Sequence, residues 1–194
     1  MTTIDAMTTN GIHAQAPPAG ASVAARPAGV GIDPIAARAM VTDTIYRGSL
    51  ALDDLQWDTF LSLCGDPFNY VVKSFSPEIN KDVTYMQHDR EGLKLLLDLL
   101  PKHNTDHSPL RRHTSVYTVD VAADGLTAKA VSSFVIYQNM LDGENSHIDS
   151  GESRLFLVGR YLDTLTLQPD GARFAERLVR LDNRRFDKGS HWPI

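Results

Sequence analysis

Residues 151–184 read GESRLFLVGRYLDTLTLQPDGARFAERLVRLDNR, and this stretch decides the fold. Two strand-like runs, 151–166 and 172–184, flank Pro169-Asp170-Gly171, which carries the glycine that a tight hairpin needs. Working upstream, 127–141 and 111–121 have the same character. They are separated by Asp142-Gly143-Glu144 and Ala123-Asp124-Gly125, two further glycine-bearing turns. From Arg111 onward the chain therefore reads as a long antiparallel meander.

The first half reads differently. Asp33-Pro34 places an aspartate at N-cap and a proline at the first helical position. Ile35, Ala39, Met40 and Ile45 follow near helical spacing, which predicts a helix to about Ala51. A second short helix is expected after Asp53-Asp54, with Trp57, Phe60 and Leu61 inward and a break at Gly65-Asp66-Pro67. Residues 69–76 and 82–88 are aromatic and β-branched, so they read as strands. Asp89 can cap a third helix, Arg90 to Leu100, whose stripe is Leu93, Leu96, Leu97 and Leu100, with Pro101 just past its end. Helices followed by a meander argue for an α+β fold, with the helices on one face of a curved sheet.

The 194 residues suit one domain with a real core. Residues 1–32 are rich in Ala, Pro, Gly and Thr, with only Asp5 and Arg26 charged and no aromatic residue. Such a segment buries too little apolar surface to offset its ordering entropy. It predicts a flexible tail before a single domain, 33–194, the alternative being an arm packed on a neighbouring subunit. A net charge of −5 does not point to nucleic acid. No apolar run nears the roughly 18 residues of a membrane span, and no secretory signal is visible. Cys64 is the lone cysteine, which favours a reduced, cytoplasmic setting.

The search for chemistry mostly excludes. A Rieske cluster takes two Cys and two His ligands, which one cysteine cannot supply. Phosphate-binding glycine loops and a G-x-S-x-G elbow are absent. The densest polar cluster is His103, Asp106, His107, Arg111, Arg112 and His113. His103, Asp106 and His107 superficially resemble a two-His, one-carboxylate iron set. They lie between Pro101 and Pro109, where a continuous helix is not expected, so a solvated loop is the reading. Arg112 and His113 suit either internal ion pairs or a partner-contacting patch.

In the C-terminal strand, Arg173, Arg177, Arg180, Arg184 and Arg185 alternate with Glu176 and Asp182. Simple alternation puts Ala175, Arg177, Val179 and Leu181 on one face, and Phe174, Glu176, Leu178 and Arg180 on the other. Charges on both faces pair internally or lie against another chain. Tyr46, Trp57, Tyr70, Tyr85, Asp120 and His113 could line a pocket, yet no spacing marks a general base among them.

Taken together, Gly159-Arg160-Tyr161-Leu162-Asp163-Thr164, Asp170-Gly171, Arg177-Leu178-Val179 and Leu181-Asp182 resemble the C-terminal signature of the small (β) subunits of Rieske-type ring-hydroxylating oxygenases. Arg112-His113, Leu52-Asp53-Asp54 with Trp57, and the Trp192-Pro193-Ile194 ending are similar to other features of that family. The resemblance spans about residues 42–194. It implies a cone-shaped α+β fold with a curved antiparallel or mixed sheet, of the nuclear transport factor 2-like, SnoaL-like and ketosteroid isomerase-like kind.

The resemblance also implies a non-catalytic subunit that supports assembly, with no catalytic, cofactor or metal residue of its own. The Rieske [2Fe-2S] cluster and the mononuclear iron are implied on a catalytic α subunit, in a hetero-hexamer of three α and three β chains. A reductase, and in some systems a ferredoxin, is implied as electron donor from NAD(P)H. Arg112, His113, Arg160, Asp163, Arg177 and Asp182 become candidates for the subunit interface. An aromatic acid is the expected substrate of the complex, with an alkanesulfonate next. A stand-alone isomerase or dehydratase, or a small-molecule binding module, would use the same fold.

Overall fold

The computed structural model describes residues 32–103, 106–141, 147–183 and 192–194. The expected tail, apart from Ile32, lies outside the described residues, as do Asp142-Gly143-Glu144, Arg184 and Arg185. Ile32 itself is half-buried against the core.

Helix α1 spans Pro34–Asp53. The Asp33 carboxylate accepts from the Ile35 and Ala36 N–H groups at 3.0 Å each, so the cap forms as the sequence suggests. Its inner face is Ala37, Val41, Ile45 and Gly48. At Gly48 the helix comes so close to the sheet that a Cβ would stand 3.3 Å from the Phe174 ring. Helix α2 spans Trp57–Ser62 but starts at Gln56 without a side-chain cap. Asp53, the last residue of α1, accepts from the Arg112 main-chain N–H at 2.8 Å. Leu55, at φ 56°, turns the chain between the two helices.

Strand β1 spans Cys64–Ser76, five residues earlier than the sequence suggests. Gly65-Asp66-Pro67 does not end an element there. It forms an irregular stretch inside β1, where the register shifts between Cys64 and Asn69. Strand β2 is Lys81–Asp89, and helix α3 is Arg90–His103. α3 runs through Pro101 into its last turn. Leu93, Leu97 and Leu100 bury against the core, and this stripe outweighs the one main-chain bond that proline gives up.

Strands β3 (Leu110–Val121), β4 (Thr127–Asn139), β5 (Ser153–Gln168) and β6 (Gly171–Leu181) form the meander. The hairpin turns at Gly125 and Gly171 use φ of 68° and 143°, as their glycines suggest.

The sheet order is β2-β1-β6-β5-β4-β3. Every neighbouring pair is antiparallel except β1 with β6, which is parallel, so the sheet is mixed. α1 packs on β3 and β6, and α3 on β1 and β2. One face of the sheet thus carries the core, and register shifts in every ladder bend it round the helices.

Simple alternation fails in β6. Leu165 pairs with Phe174 and Thr164 with Glu176, so Ala175 is an extra residue. Phe174 therefore faces inward together with Arg177, Val179 and Leu181, not on the opposite face.

Candidate functional site

Inward-facing polar side chains from four strands meet on the helix-covered face. They are Tyr70 on β1, Arg112 on β3, Tyr161 and Asp163 on β5, and Arg177 on β6. Arg177 and Asp163 are direct cross-strand partners, and both side chains are 0% exposed. Arg177 Nε and Nη2 donate to the two Asp163 oxygens at 2.9 Å each. This parallel pair of bonds is the geometry a guanidinium and a carboxylate favour.

The guanidinium also lies between two rings, 4.2 Å from the Tyr161 centroid and 4.3 Å from that of Phe174. Phe134 stacks on Tyr161, with ring centroids 4.4 Å apart. Burial pushes the Asp163 carboxyl up, and Arg177 draws it back. Burial opposes the Arg177 charge, but the Asp163 carboxylate outweighs it and holds the guanidinium protonated. The pair is internal, and each charge is offset by the other.

A second ion pair closes the rim. Arg112 and Asp53 have side chains 1% and 9% exposed, and Arg112 Nη1 donates to Asp53 Oδ1 at 2.5 Å. Arg112 Nη2 donates to the Pro193 carbonyl at 2.6 Å. Tyr70 completes the arrangement. Its hydroxyl accepts from the Ile194 N–H at 2.7 Å and donates to the Ile194 main-chain oxygen at 3.1 Å. Burial pushes the Tyr70 phenol well up, so it stays a neutral donor. Ile194 is fully buried, and Trp192 packs at a tilt on Trp57 of α2, with centroids 5.8 Å apart. Trp192-Pro193-Ile194 thus fills the mouth of the interior. Beside it, on the outside, a groove of about 290 Å³ runs between Leu52, Asp54, Leu110, Arg111 and Trp192.

The six interface candidates separate into two groups. Asp163 and Arg177 are brought together, but inside the chain, where they cannot reach another subunit unless the core opens. Arg112 is likewise committed to Asp53 and Pro193. His113, Arg160 and Asp182 are exposed, with His113 edge-on to Tyr137 at 5.8 Å. The suggested pocket lining is not assembled. Tyr70 is interior and Trp57 half-buried, whereas Tyr46, Tyr85, Asp120 and His113 are exposed.

No group of three or more His, Cys, Asp or Glu among the described residues has metal-binding geometry. The side chain of His103 lies outside them. Asp106 accepts from the Ser108 N–H and from Gln138. Sequence reading missed the role of Asp53, although Leu52-Asp53-Asp54 was one of the stretches that carried the resemblance.

The fold and its filled interior define a cone-shaped α+β subunit closed by its own ion pairs. No protein-family model matches the chain. It is 57% identical over 173 residues to the β subunit of the methanesulfonate monooxygenase hydroxylase of Methylosulfonomonas methylovora, covering 88% of this chain and 96% of that one. It is 30% identical over 156 residues to the β subunit of 2-aminobenzenesulfonate 2,3-dioxygenase of an Alcaligenes species, covering 79% and 97%. A solved β subunit from Novosphingobium aromaticivorans, assigned to the aromatic-ring-hydroxylating dioxygenases, superposes with a TM-score of 0.68 at 22% identity, covering 82% and 98%. A protein of the same organism assigned as a scytalone dehydratase superposes at 0.55 and 16%, covering 77% and 86%, which shows that the fold is shared with the cone enzymes.

The chain belongs to the family of β subunits of multicomponent ring-hydroxylating oxygenases and the related sulfonate oxygenases. It is a subunit of an oxidoreductase complex, in a family whose β chains pair with α chains. No helix among the described residues is long and apolar enough to cross a membrane.

Proposed function

We propose that this chain is the non-catalytic β subunit of the oxygenase component of a Rieske non-haem iron oxygenase, and that it supports assembly of catalytic α subunits. The observation that carries this reading is the filled interior. Where a cone enzyme needs an open pocket with an acid or base, this chain has the buried Arg177–Asp163 pair and the Trp192–Ile194 segment. In this reading the [2Fe-2S] cluster and the mononuclear iron sit on the α subunit. Three α and three β chains assemble in the cytoplasm, and a reductase, with or without a ferredoxin, delivers electrons from NAD(P)H. Exposed His113, Arg160 and Asp182 remain the interface residues we propose, and 33–194 the folding unit.

For the substrate we propose a sulfonate. Both curated relatives are named for sulfonates, one an alkane and one an aromatic compound. The higher identity lies with the methanesulfonate enzyme, which supports the alkanesulfonate ahead of an aromatic acid. The test purifies this chain alone and with its α subunit. Iron should be stoichiometric in the complex and lacking in the lone chain. NADH oxidation by the reconstituted system should respond to methanesulfonate more than to benzoate-type acids. Iron retained by the lone chain through gel filtration would overturn the subunit role, and a response to aromatic acids alone would overturn the substrate.

A further inference from the structure

Trp192-Pro193-Ile194 is held as a bound peptide is held. Pro193 and Ile194 meet side chains of β3 and β1 through their own main chain. The Pro193 carbonyl accepts from Arg112 Nη2, and the Ile194 N–H and main-chain oxygen both meet the Tyr70 hydroxyl. Ile194 is wholly buried and Pro193 is buried beside it, and Trp192 packs on Trp57.

The receptor groups are fixed independently of the segment. Arg112 is anchored by two bonds to Asp53, and the Tyr70 ring lies 6.3 Å from that of Phe68. The site also holds more donors than the segment uses. Arg177 Nη1 is buried with no hydrogen-bond partner among the described residues, and the Tyr161 hydroxyl lies within reach of the Arg112 guanidinium. A buried donor of this kind is costly unless satisfied.

We propose that the concave interior of this chain is a peptide-binding site, and that Trp192–Ile194 is its ligand, bound in cis. The ligand class is a short extended peptide, read through main-chain oxygens and N–H by Arg112 and Tyr70, with an aliphatic residue in the Ile194 position. The proposal goes beyond the subunit role, and its failure would leave that role standing, since iron content and NADH oxidation test the latter separately.

The experiment uses the α–β complex with the chain shortened by residues 192–194, and the synthetic tripeptide Trp-Pro-Ile as probe. The tripeptide lacks the covalent link that makes the segment's own binding intramolecular, so the probe is titrated into the roughly millimolar range. Calorimetry should show saturable binding, one probe per shortened chain, and none to the complex with the full chain, whose site is occupied. Trp-Pro-Asp, which puts a carboxylate into the apolar Ile194 position, should bind about tenfold more weakly or worse. Tyr70→Phe in the shortened chain should weaken the probe similarly.

Absence of saturable binding to a folded, assembled, shortened complex would overturn the proposal. So would equal binding to the full-length complex, or equal binding of Trp-Pro-Asp. If the shortened chain does not assemble, adding the tripeptide during refolding should restore the complex. Failure to restore it would also overturn the proposal.

Discussion

Removing Arg177 should unfold the protomer before it disturbs any subunit contact. In Arg177→Ala, Asp163 loses both of its 2.9 Å bonds in a site that is 0% exposed, and must either hold an uncompensated charge or take up a proton there. Breaking a buried pair from one side costs about 3–5 kcal/mol. The guanidinium also leaves the Tyr161 and Phe174 rings, each such contact contributing about 0.5–2 kcal/mol. A small domain loses roughly 1–3 kcal/mol per molar urea, so a loss of about 4 kcal/mol moves the midpoint down by roughly 2 M. With a total stability of about 5–15 kcal/mol, the variant is marginal.

Urea unfolding followed by circular dichroism, at several chain concentrations and with and without the α subunit, measures this. The shift should be independent of concentration. Arg177→Met combined with Asp163→Leu should recover much of the loss, because an apolar pair leaves no charge uncompensated. An unchanged protomer midpoint, with assembly that fails only at low concentration, would refute the internal assignment and return the pair to a subunit boundary.

Gly159→Ala should cost at least about 1–3 kcal/mol. Its Cβ would stand 2.3 Å from the Arg180 carbonyl and 2.8 Å from the Phe134 ring, so the β5–β6 ladder must spread; thermal unfolding reads it. Burial pushes the Cys64 thiol from 9.0 up to about 12, so the native chain at pH 8 should resist a thiol reagent that labels it in urea. Because the folded value is the higher one, this thiol's contribution is present below about pH 9 and lost as pH rises toward about 12, and a stability rising over that window would contradict it. Asp53→Ala should destabilise more than Asp54→Ala. Asp53 holds the buried Arg112, whereas Asp54 makes only an exposed 3.6 Å contact with Arg111, the kind worth under about 1 kcal/mol. Matched urea midpoints for the two variants would refute this.

Most of the architecture was legible because its signals are local. Asp33-Pro34 capped its helix, the glycines of two described turns adopted positive φ, and the Leu93–Leu100 stripe faced inward. What escaped was set by tertiary context. The Ala175 bulge turns Phe174 inward, and an extra residue leaves no trace in a pattern that reads well on either phase. The role of Asp53 escaped because no local cue says that Arg112, distant in sequence, will take its carboxylate. The interface expectation for Asp163 and Arg177 rested on charges in a strand with no clean apolar face. Only the β5–β6 register reveals that they stand opposite each other, within reach and sealed. Tyr70 was one of several tyrosines with no distinguishing spacing, and its role depends on a segment over a hundred residues away.

The parallel pairing of β1 with β6 sets the order in which the molecule can be finished. β1 ends at Ser76 and β6 begins at Gly171, so the sheet's central seam joins segments made far apart in time on the ribosome. Until β6 is made, the β1–β2 hairpin and the β3–β5 ladder are two separate fragments, each with an open edge facing where β6 will lie. Contacts this distant in sequence slow folding and prolong exposure of unpaired strands. A nascent chain stopped after Gln168 therefore lacks the strand that unites its halves, and its exposed edges make it a natural client for chaperones or proteases.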